Sequence, residues 1–363
     1  MGKEGTRKAS YQTYRCLGGH SFTDKSSASK YTNSFIEYAV ILYLRSLSLN
    51  TTLNFLRIQY EKEILSKAKL LEFIEKVADR LPSLTDVDNL FHPKRSGYLA
   101  FDGIYFKLAG QSFCLLICFD PETFDIVDYL VCDRENFKAY SALCLTVKER
   151  LKRAEARVEG IYFDGEKGLI AACSRVFPGV PQQLCVVHKY LRMGEIVPFK
   201  SVNRKGVFYL KRRAILKFKK LFEETIFAKS KEESLTKFKE LDAFTRNHFL
   251  DRFYKGYRIL KSNFHLTLTH FDYPHMNRDN NLIECFNSII SRKFDLFKGF
   301  KKDGNIERYL KLVFLDFRFH KLTESRFAYR RDESPLELSR ANIPTHYNFI
   351  KMLRETLRLD FEN

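Results

Sequence analysis

The sequence predicts an α/β protein with a five-stranded mixed sheet, preceded by a module of helices alone. Three apolar runs within residues 97–133 are rich in β-forming residues and are separated by Gly or by an Asp-Pro turn, which indicates a strand meander. Residues 136–188 then alternate between helical and strand patterns. Helical periodicity governs residues 34–81 before the sheet and residues 195–270 after it.

The first 30 residues are polar and basic and show little periodicity, and we expect a loop over 14–22. The stretch YRCLGGHSF at 14–22 offers only Cys16 and His20, whereas a structural zinc site needs about four ligands. We interpret this stretch as the degenerate remnant of a zinc ribbon that no longer holds metal.

The next segment predicts three helices, from 35 to 47, from 51 or 52 onward, and from 67 to 81, before Pro82. Two helices joined by a short turn and followed by a third suit a helix-turn-helix module that contacts DNA. An ordinary three-helix bundle is the equally weighted alternative.

The order of strands and helices in the sheet region limits the number of folds that the chain could adopt. Its expected elements are strand 97–110, strand 112–120, strand 124–133, helix 136–157, strand 158–165, helix 166–177 and strand 181–188. Three strands followed by helix, strand, helix and strand are characteristic of the ribonuclease H-like fold. We therefore expect a ribonuclease H-like sheet, interrupted before its last helices by a helical insertion.

The charge points to a polyanionic partner. The chain carries 62 basic and 44 acidic residues, a net charge of +18, and residues 201–220 hold eight Lys or Arg and no acid. Nucleic acid is the first candidate and a membrane surface the second, but no apolar run approaches the roughly 18 residues of a spanning helix. Scattered cysteines and the lack of a signal core predict an intracellular, cytoplasmic protein.

Two Phe-Asp-Gly sequences provide the first candidate site residues. Asp102 lies in the first strand and Asp164 at the end of the fourth, and these strands are neighbours in a sheet of this order. Each Asp-Gly could also be a simple turn. Two carboxylates brought together need a cation, and oxygen ligands suit Mg²⁺ or Mn²⁺.

A third carboxylate, Glu284, lies in the stretch RDNNLIECFN at 278–287. Apolar residues recur there at helical spacing and predict a core face, with Glu284 and Asn287 on the opposite face. A solvated polar face is the simpler interpretation. The alternative is that this helix places Glu284 beside the two aspartates.

Four pieces of the chain resemble DDE transposases of the Mutator-like superfamily, a group of prokaryotic insertion-sequence enzymes. They are FDGIYFKL, IYFDGEKGLIAACSRVFPGVPQQLCVVHKYLR, RDNNLIECFNSIISRKFDLFKGF and FHKLTESR. The resemblance extends over roughly residues 30–340. It departs at the N-terminus, where relatives often carry a complete Cys-x-x-Cys ribbon and this chain has only Cys16.

The resemblance implies roles for individual residues. Asp102, Asp164 and Glu284 would bind two Mg²⁺ or Mn²⁺ ions and be catalytic. Residues that would support this site are Cys185, His188, Asn281 and Asn287. Cys185 could equally be a small buried residue, and His188 a core histidine. Basic residues expected to contact DNA phosphates are Lys189, Arg192, Arg204, Lys205, Lys211, Arg212, Arg213, Lys298 and Lys301.

The domains follow from the same resemblance: a basic segment at 1–30, a helical DNA-binding module at 31–95, a catalytic domain at 96–194 and 271–325, a basic helical insertion at 195–270 and a tail at 326–363. The implied activity is binding of terminal inverted repeats, hydrolysis at the element's 3′ ends and joining of the 3′-hydroxyl to target DNA. A homodimer or larger nucleoid-associated assembly is implied, because two ends must be paired. The alternatives are an inactive or domesticated DNA-binding protein, or another ribonuclease H-fold nuclease.

Overall fold

A computed structural model describes residues 2–3, 12–15, 21–24, 32–45, 48–60, 66–197, 199, 209–248, 251–296 and 303–358. The chain divides into two units. The first is Met1–Leu81 together with Tyr347–Asn363, and the second is Pro82–His346. The helix Leu84–Phe91 therefore belongs to the second unit, although it lies within the predicted module at 31–95. The predicted tail at 326–363 is divided between the two units.

The first unit begins with three short antiparallel strands, β1 (Gly2–Lys3), β2 (Gln12–Arg15) and β3 (Ser21–Asp24). The expectation of a loop over 14–22 is wrong at both ends of that stretch, where residues 14–15 and 21–22 pair in β2 and β3 despite the weak periodicity of the sequence. Cys16 and His20, the predicted zinc-ribbon remnant, lie outside the described residues.

The three predicted N-terminal helices are present as α1 (Asn33–Leu44), α2 (Leu49–Tyr60) and α3 (Lys67–Arg80). Thr32 and Ser66 cap α1 and α3, because each side-chain oxygen accepts a hydrogen bond from a backbone N–H of the first turn. A helix near the C-terminus, labelled α15 below, packs on α1 and α3. This helix was not predicted from the sequence, where its residues fall in the tail at 326–363.

The second unit contains the five-stranded mixed sheet that the sequence predicts. Its strands are β4 (Tyr98–Leu108), β5 (Gln111–Asp120), β6 (Asp125–Cys132), β7 (Gly160–Phe163) and β8 (Gln182–Leu184). The order is β6-β5-β4-β7-β8, with β4, β5 and β6 antiparallel and β7 and β8 parallel to β4. Ala109 and Gly110, with φ of 50° and 85°, form the two-residue β4–β5 turn.

Helices surround the sheet and complete the second unit. They are α4 (Leu84–Phe91), α5 (Phe137–Arg153), α6 (Lys167–Val176), α7 (Val186–Ile196), α8 (Tyr209–Ile226), α9 (Lys231–Asn247), α10 (Asp251–Lys261), α11 (Thr269–Asp272), α12 (Asn281–Leu296), α13 (Asp303–Phe319) and α14 (Pro335–Leu338). The last helix, α15 (Phe349–Arg358), belongs to the first unit. Within the second unit, α8 and α10 pack in a separate apolar core where Phe218 stacks on Phe253 at 4.7 Å between ring centres.

Side chains alternate between the two faces of β4 and bring different helices to each face. Phe101 packs in the core formed with α5 and α6. Asp102, the next residue, accepts a hydrogen bond from Asn287 of α12. The rings of Phe286 in α12 and Phe119 in β5 stack at 5.0 Å on that same face. The period-2 alternation of β4 therefore points Asp102 toward the helix that carries Glu284.

A buried network of charges ties α4, β6 and α13 together. Arg318 is fully buried, and its guanidinium donates to Asp125 at 2.9 Å and to Asp88 at 2.7 Å. Arg95 joins the same two carboxylates, at 2.7 Å from Asp125. Burial alone would raise the pKa of Asp88, but the surrounding guanidinium groups hold this pKa below its ordinary value.

Candidate metal and nucleic-acid site

The two Phe-Asp-Gly sequences lie side by side, as the sequence predicts. β4 and β7 are parallel, with Tyr98 opposite Gly160 and Ala100 opposite Tyr162. Extending this register by two residues places Asp164 opposite Asp102, across the roughly 4.8 Å that separates neighbouring strands. Asp164 comes directly after β7, and its Oδ1 accepts a hydrogen bond from the N–H of Glu166 at 3.0 Å, which leads the chain into α6.

Asp102 is held by two hydrogen bonds at the edge of the core. Its Oδ1 accepts from the N–H of Gly103 at 2.9 Å, and its Oδ2 accepts from Nδ2 of Asn287 at 2.7 Å. Burial, reinforced by the negative charges of Asp164 and Glu284, raises the pKa of Asp102 to about 7. A bound cation would stabilise the ionised carboxylate of Asp102 and take the place of its proton.

Helix α12 brings Glu284 to the same place. Ile283 and Phe286 are fully buried and fasten the helix to the sheet, as its apolar periodicity predicts. Glu284 lies one turn before Asn287, and the Asn287 side chain is buried against Asp102. The simple picture of a solvated face opposite the core is therefore wrong for Asn287, and Glu284 is half-buried with 36% of its side chain exposed.

Cys185 and His188 also lie beside Glu284, but on a helix. We expected a strand over 181–188, whereas β8 ends at Leu184 and α7 begins at Val186. Cys185 is buried at the N-cap of α7, and burial raises the pKa of its thiol to about 11. His188 lies in the first turn, with its Nδ1 3.4 Å from Oε1 of Glu284.

The buried side chain of Gln183 holds the approach to α12 against β8. Its Nε2 donates to the carbonyl oxygens of Thr267 at 3.2 Å and Arg278 at 3.3 Å, and its Oε1 accepts from the N–H of His270 at 2.8 Å. The role of Gln183 was not predicted from the sequence. A polar side chain inside an apolar strand is the signal that could have revealed it, because buried amides need partners.

The neighbouring amides Asn280 and Asn281, at the start of α12, lie in different surroundings. The Asn280 side chain is buried and its Nδ2 donates to the carbonyl of Phe101 at 3.4 Å, so it ties α12 to β4. Asn281 is exposed and lines another cavity with Cys285 and Ile289. Positions three and four apart share a helix face, so Asn281 neighbours both Glu284 and Cys285, and its role as a support for Glu284 stays a prediction.

A fourth carboxylate, Glu135, lies close to the two aspartates and was also missed. Its Oε2 accepts a hydrogen bond from the hydroxyl of Tyr140 at 3.0 Å. A Cβ atom on Gly103 would collide with Oε1 of Glu135, so a larger residue at that position of β4 would displace the carboxylate. Burial, and then the charge of Asp164, raises the pKa of Glu135. Glu135 follows β6 without a recognisable motif, so only the fold brings it here.

A groove of about 600 Å³ begins at Asp164 and runs between α7 and α10. Arg192, Lys255 and Arg258 line it and expose positive charge next to the carboxylates. Lys189 is different, because its Nζ is buried and donates to the carbonyl oxygens of Ile259 and Ser262, both at 2.6 Å. Burial lowers the pKa of Lys189 to about 8. Its ammonium joins α7 to α10, and we withdraw it as a phosphate contact.

The remaining predicted DNA contacts lie on α8 or outside the described residues. Arg212 and Arg213 lie on the exposed surface of α8. Lys211 is part of α8, but its side chain is not among the described atoms. Four further residues lie wholly outside the described residues: Arg204, Lys205, Lys298 and Lys301. In the described ranges no helix is both long and apolar enough to cross a membrane.

The fold and the site define an α/β protein with a cluster of carboxylates at the edge of a mixed sheet, next to a basic groove. A family model described as "Transposase, Mutator family" matches residues 94–321, which is more than half of the chain and includes every carboxylate of this cluster. The chain belongs to the Mutator family of transposases.

Two further comparisons add little. No curated protein matches the chain. One solved structure, a cryoEM structure of the simian T-cell lymphotropic virus intasome in complex with PP2A regulatory subunit B56 gamma, is similar over 53% of this chain and 69% of that chain, at 10% identity and a TM-score of 0.20. Likeness at that TM-score bears on neither the fold nor the function.

Proposed function

We propose that the chain is a DDE-type DNA transposase whose ribonuclease H-like sheet carries Asp102, Asp164 and Glu284 as the metal-binding catalytic residues. It would hydrolyse the phosphodiester at the 3′ ends of its element and join the freed 3′-hydroxyl to target DNA. The observation that supports this proposal is that Asp164, after β7, and Glu284, on α12, lie near enough to Asp102 of β4 for their charges to raise its pKa, in a chain of a transposase family.

The donor atoms of this cluster suit Mg²⁺ or Mn²⁺. Carboxylate oxygens are the ligands that these hard cations prefer, and the pKa of Asp102 is raised by burial first and then by the negative charges of Asp164 and Glu284. Oε1 of Glu284 is buried and accepts no hydrogen bond, so it is free to bind a cation. When bound, two such ions would activate the attacking oxygen and stabilise the leaving oxygen.

The chain's own residues would position the carboxylates and the DNA. Asn287 holds Oδ2 of Asp102, and Gly103 holds its Oδ1, so the carboxylate cannot rotate freely. Arg192 and Arg258 in the adjoining groove would bind phosphates of the strand that enters the site. Arg212 and Arg213 would extend this contact along the helical insertion.

Recognition of the element would involve other parts of the chain. The helices α1–α3 would bind the terminal inverted repeats as a helix-turn-helix-like module, and the basic insertion would assist them. Pairing of two ends would require a homodimer or a larger assembly in the cytoplasm, associated with the nucleoid.

Two alternatives make different predictions. An inactive or domesticated member would bind DNA without cutting it, and all three acids argue against this because a decayed copy is free to lose them. Another ribonuclease H-fold nuclease would cut structured or hybrid substrates without joining strands.

The test is metal-dependent cleavage and strand transfer on a labelled duplex that carries the flanking element end. We expect nicking at the element end with Mg²⁺ or Mn²⁺, and a loss on the order of 100-fold or more in Glu284→Gln, because an ion supplies several kcal/mol of transition-state stabilisation. Glu232→Gln, the same change on an exposed turn of α9, is the matched control and should cut normally. Binding without cutting by the unaltered protein would refute the proposal.

A further inference from the structure

Three different ligand atoms converge beside the carboxylate cluster. Sγ of Cys185, a ring nitrogen of His188 and a carboxylate oxygen of Glu284 all lie within 4.8 Å of one another. Cys185 caps α7 and His188 lies three residues later, so the start of one helix presents both on a single side. Glu284 reaches them from the first turn of α12.

Two of these buried atoms have no hydrogen-bond partner. Nδ1 of His188 and Oε1 of Glu284 are both buried, and neither forms a hydrogen bond. They are 3.4 Å apart, within reach of an ion pair if the imidazole is protonated, but too far apart for a good hydrogen bond. Burying two polar atoms without a partner is costly, which calls for a third group between or beside them.

A single tetrahedral metal ion satisfies this geometry. Zinc binds imidazole nitrogen and carboxylate oxygen at about 2.0–2.2 Å, so two such donors at the tetrahedral angle lie roughly 3.4 Å apart. This is the separation found between His188 and Glu284. The Sγ of Cys185 lies within 4.8 Å of a ring nitrogen of His188 and of a carboxylate oxygen of Glu284, so it is available as a third ligand. The side chains of His188 and Glu284 are 29% and 36% exposed, so solvent can reach a fourth position.

We propose that Cys185, His188 and Glu284 form a binding site for a thiophilic divalent cation, Zn²⁺, which inhibits the enzyme by withdrawing Glu284 from the catalytic carboxylates. Sulfur and imidazole ligands select zinc over magnesium, whereas Asp102 and Asp164 offer oxygen only. Glu284 is shared between the two sites, so it cannot serve both at once. The inhibitory half of this proposal rests on the proposed function; the binding half does not.

Binding is tested on the full-length protein with Co²⁺ as a spectroscopic substitute for Zn²⁺. A thiolate ligand produces an intense near-ultraviolet charge-transfer band on Co²⁺. We expect this band in the unaltered protein and its removal by Zn²⁺. Cys185→Ser should lose the band, and His188→Asn should weaken Zn²⁺ binding by at least about 100-fold. Each variant is first shown to be folded by its thermal unfolding transition.

Two controls separate this site from others. Cys285→Ser removes the exposed thiol next to Glu284 and should keep the band. Asp102→Asn removes the catalytic carboxylate and should also keep it. Absence of the band from the unaltered protein, or a band that persists in Cys185→Ser, would overturn the binding proposal.

Inhibition is tested by adding Zn²⁺ to the Mg²⁺-dependent cleavage reaction. Each variant is compared with its own rate without Zn²⁺, and Cys185→Ser should need at least about 10-fold more Zn²⁺ for half inhibition. Equal sensitivity of Cys185→Ser and unaltered protein would overturn the inhibitory role. If no cleavage occurs at all, the proposed function fails, while the Co²⁺ band still decides whether the metal site exists.

Discussion

Replacing Asp102 with Asn should stabilise the protein in the absence of divalent cations, at neutral and alkaline pH. The carboxylate is forced close to Asp164 and Glu284 and is withdrawn from water, which raises its pKa to about 7. Asn keeps the shape without the charge. The side-chain amide of Asn287, whose Oδ1 has no partner at present, can rotate to accept a hydrogen bond from the new amide.

The magnitude follows from linkage between protonation and folding. The pKa of Asp in an unfolded chain is about 3.9, which is about 3 pKa units below the folded value of about 7. Each pKa unit corresponds to about 1.4 kcal/mol of difference in free energy between the two protonation states. Because the folded pKa is the higher one, this carboxyl costs nothing below about pH 4 and lowers the free energy of unfolding increasingly from pH 4 to pH 7. Above pH 7 the penalty levels off at up to roughly 4 kcal/mol.

Urea unfolding between pH 4 and pH 8, in the presence of a chelator, measures this directly. The gain in the free energy of unfolding of Asp102→Asn over the unaltered protein should be small at pH 4 and largest at pH 8. Asp133→Asn, on the exposed surface after β6, is the matched control and should show almost no gain. A variant that is less stable than the unaltered protein at pH 8, or a gain independent of pH, would refute the reasoning.

Three further predictions concern other parts of the second unit. Arg318→Met leaves the buried carboxylate of Asp125 with one fewer guanidinium and should lower the free energy of unfolding by about 3–5 kcal/mol in urea titrations; a loss below 1 kcal/mol would contradict the network's role. Gln183→Leu removes the amide that donates to three backbone carbonyls and should cost about 1–3 kcal/mol in the same assay, whereas an unchanged midpoint would argue that water replaces the amide. Arg258→Ala should weaken DNA binding and reduce the slope of log affinity against log salt by about 1, and an unchanged slope would exclude a phosphate contact there.

Local pattern alone determined most of the secondary structure and the pairing of the first two acids. Alternation and turn residues predicted β4, β5 and β6 nearly to their ends. Two Phe-Asp-Gly sequences at the ends of apolar runs were enough to predict that Asp102 and Asp164 are neighbours, because the chain order of strands and helices dictates which strands pair in parallel. The net charge predicted a nucleic-acid partner before any fold was known.

Where long-range packing competes with local pattern, only the tertiary structure decided. The apolar residues after Leu184 suit a strand as well as a helix, and Gln183 and Cys185, held by residues 267–280, end β8 and start α7. Lys189 resembles any basic residue near a phosphate site until α10 supplies two carbonyls for its ammonium. Glu135 and Gln183 do not belong to a recognisable sequence motif. Their roles depend on burial and on contacts that form only in the folded chain. Sequence reports what a residue can do locally, but the surroundings that set its charge and its contacts come from segments that only folding brings near.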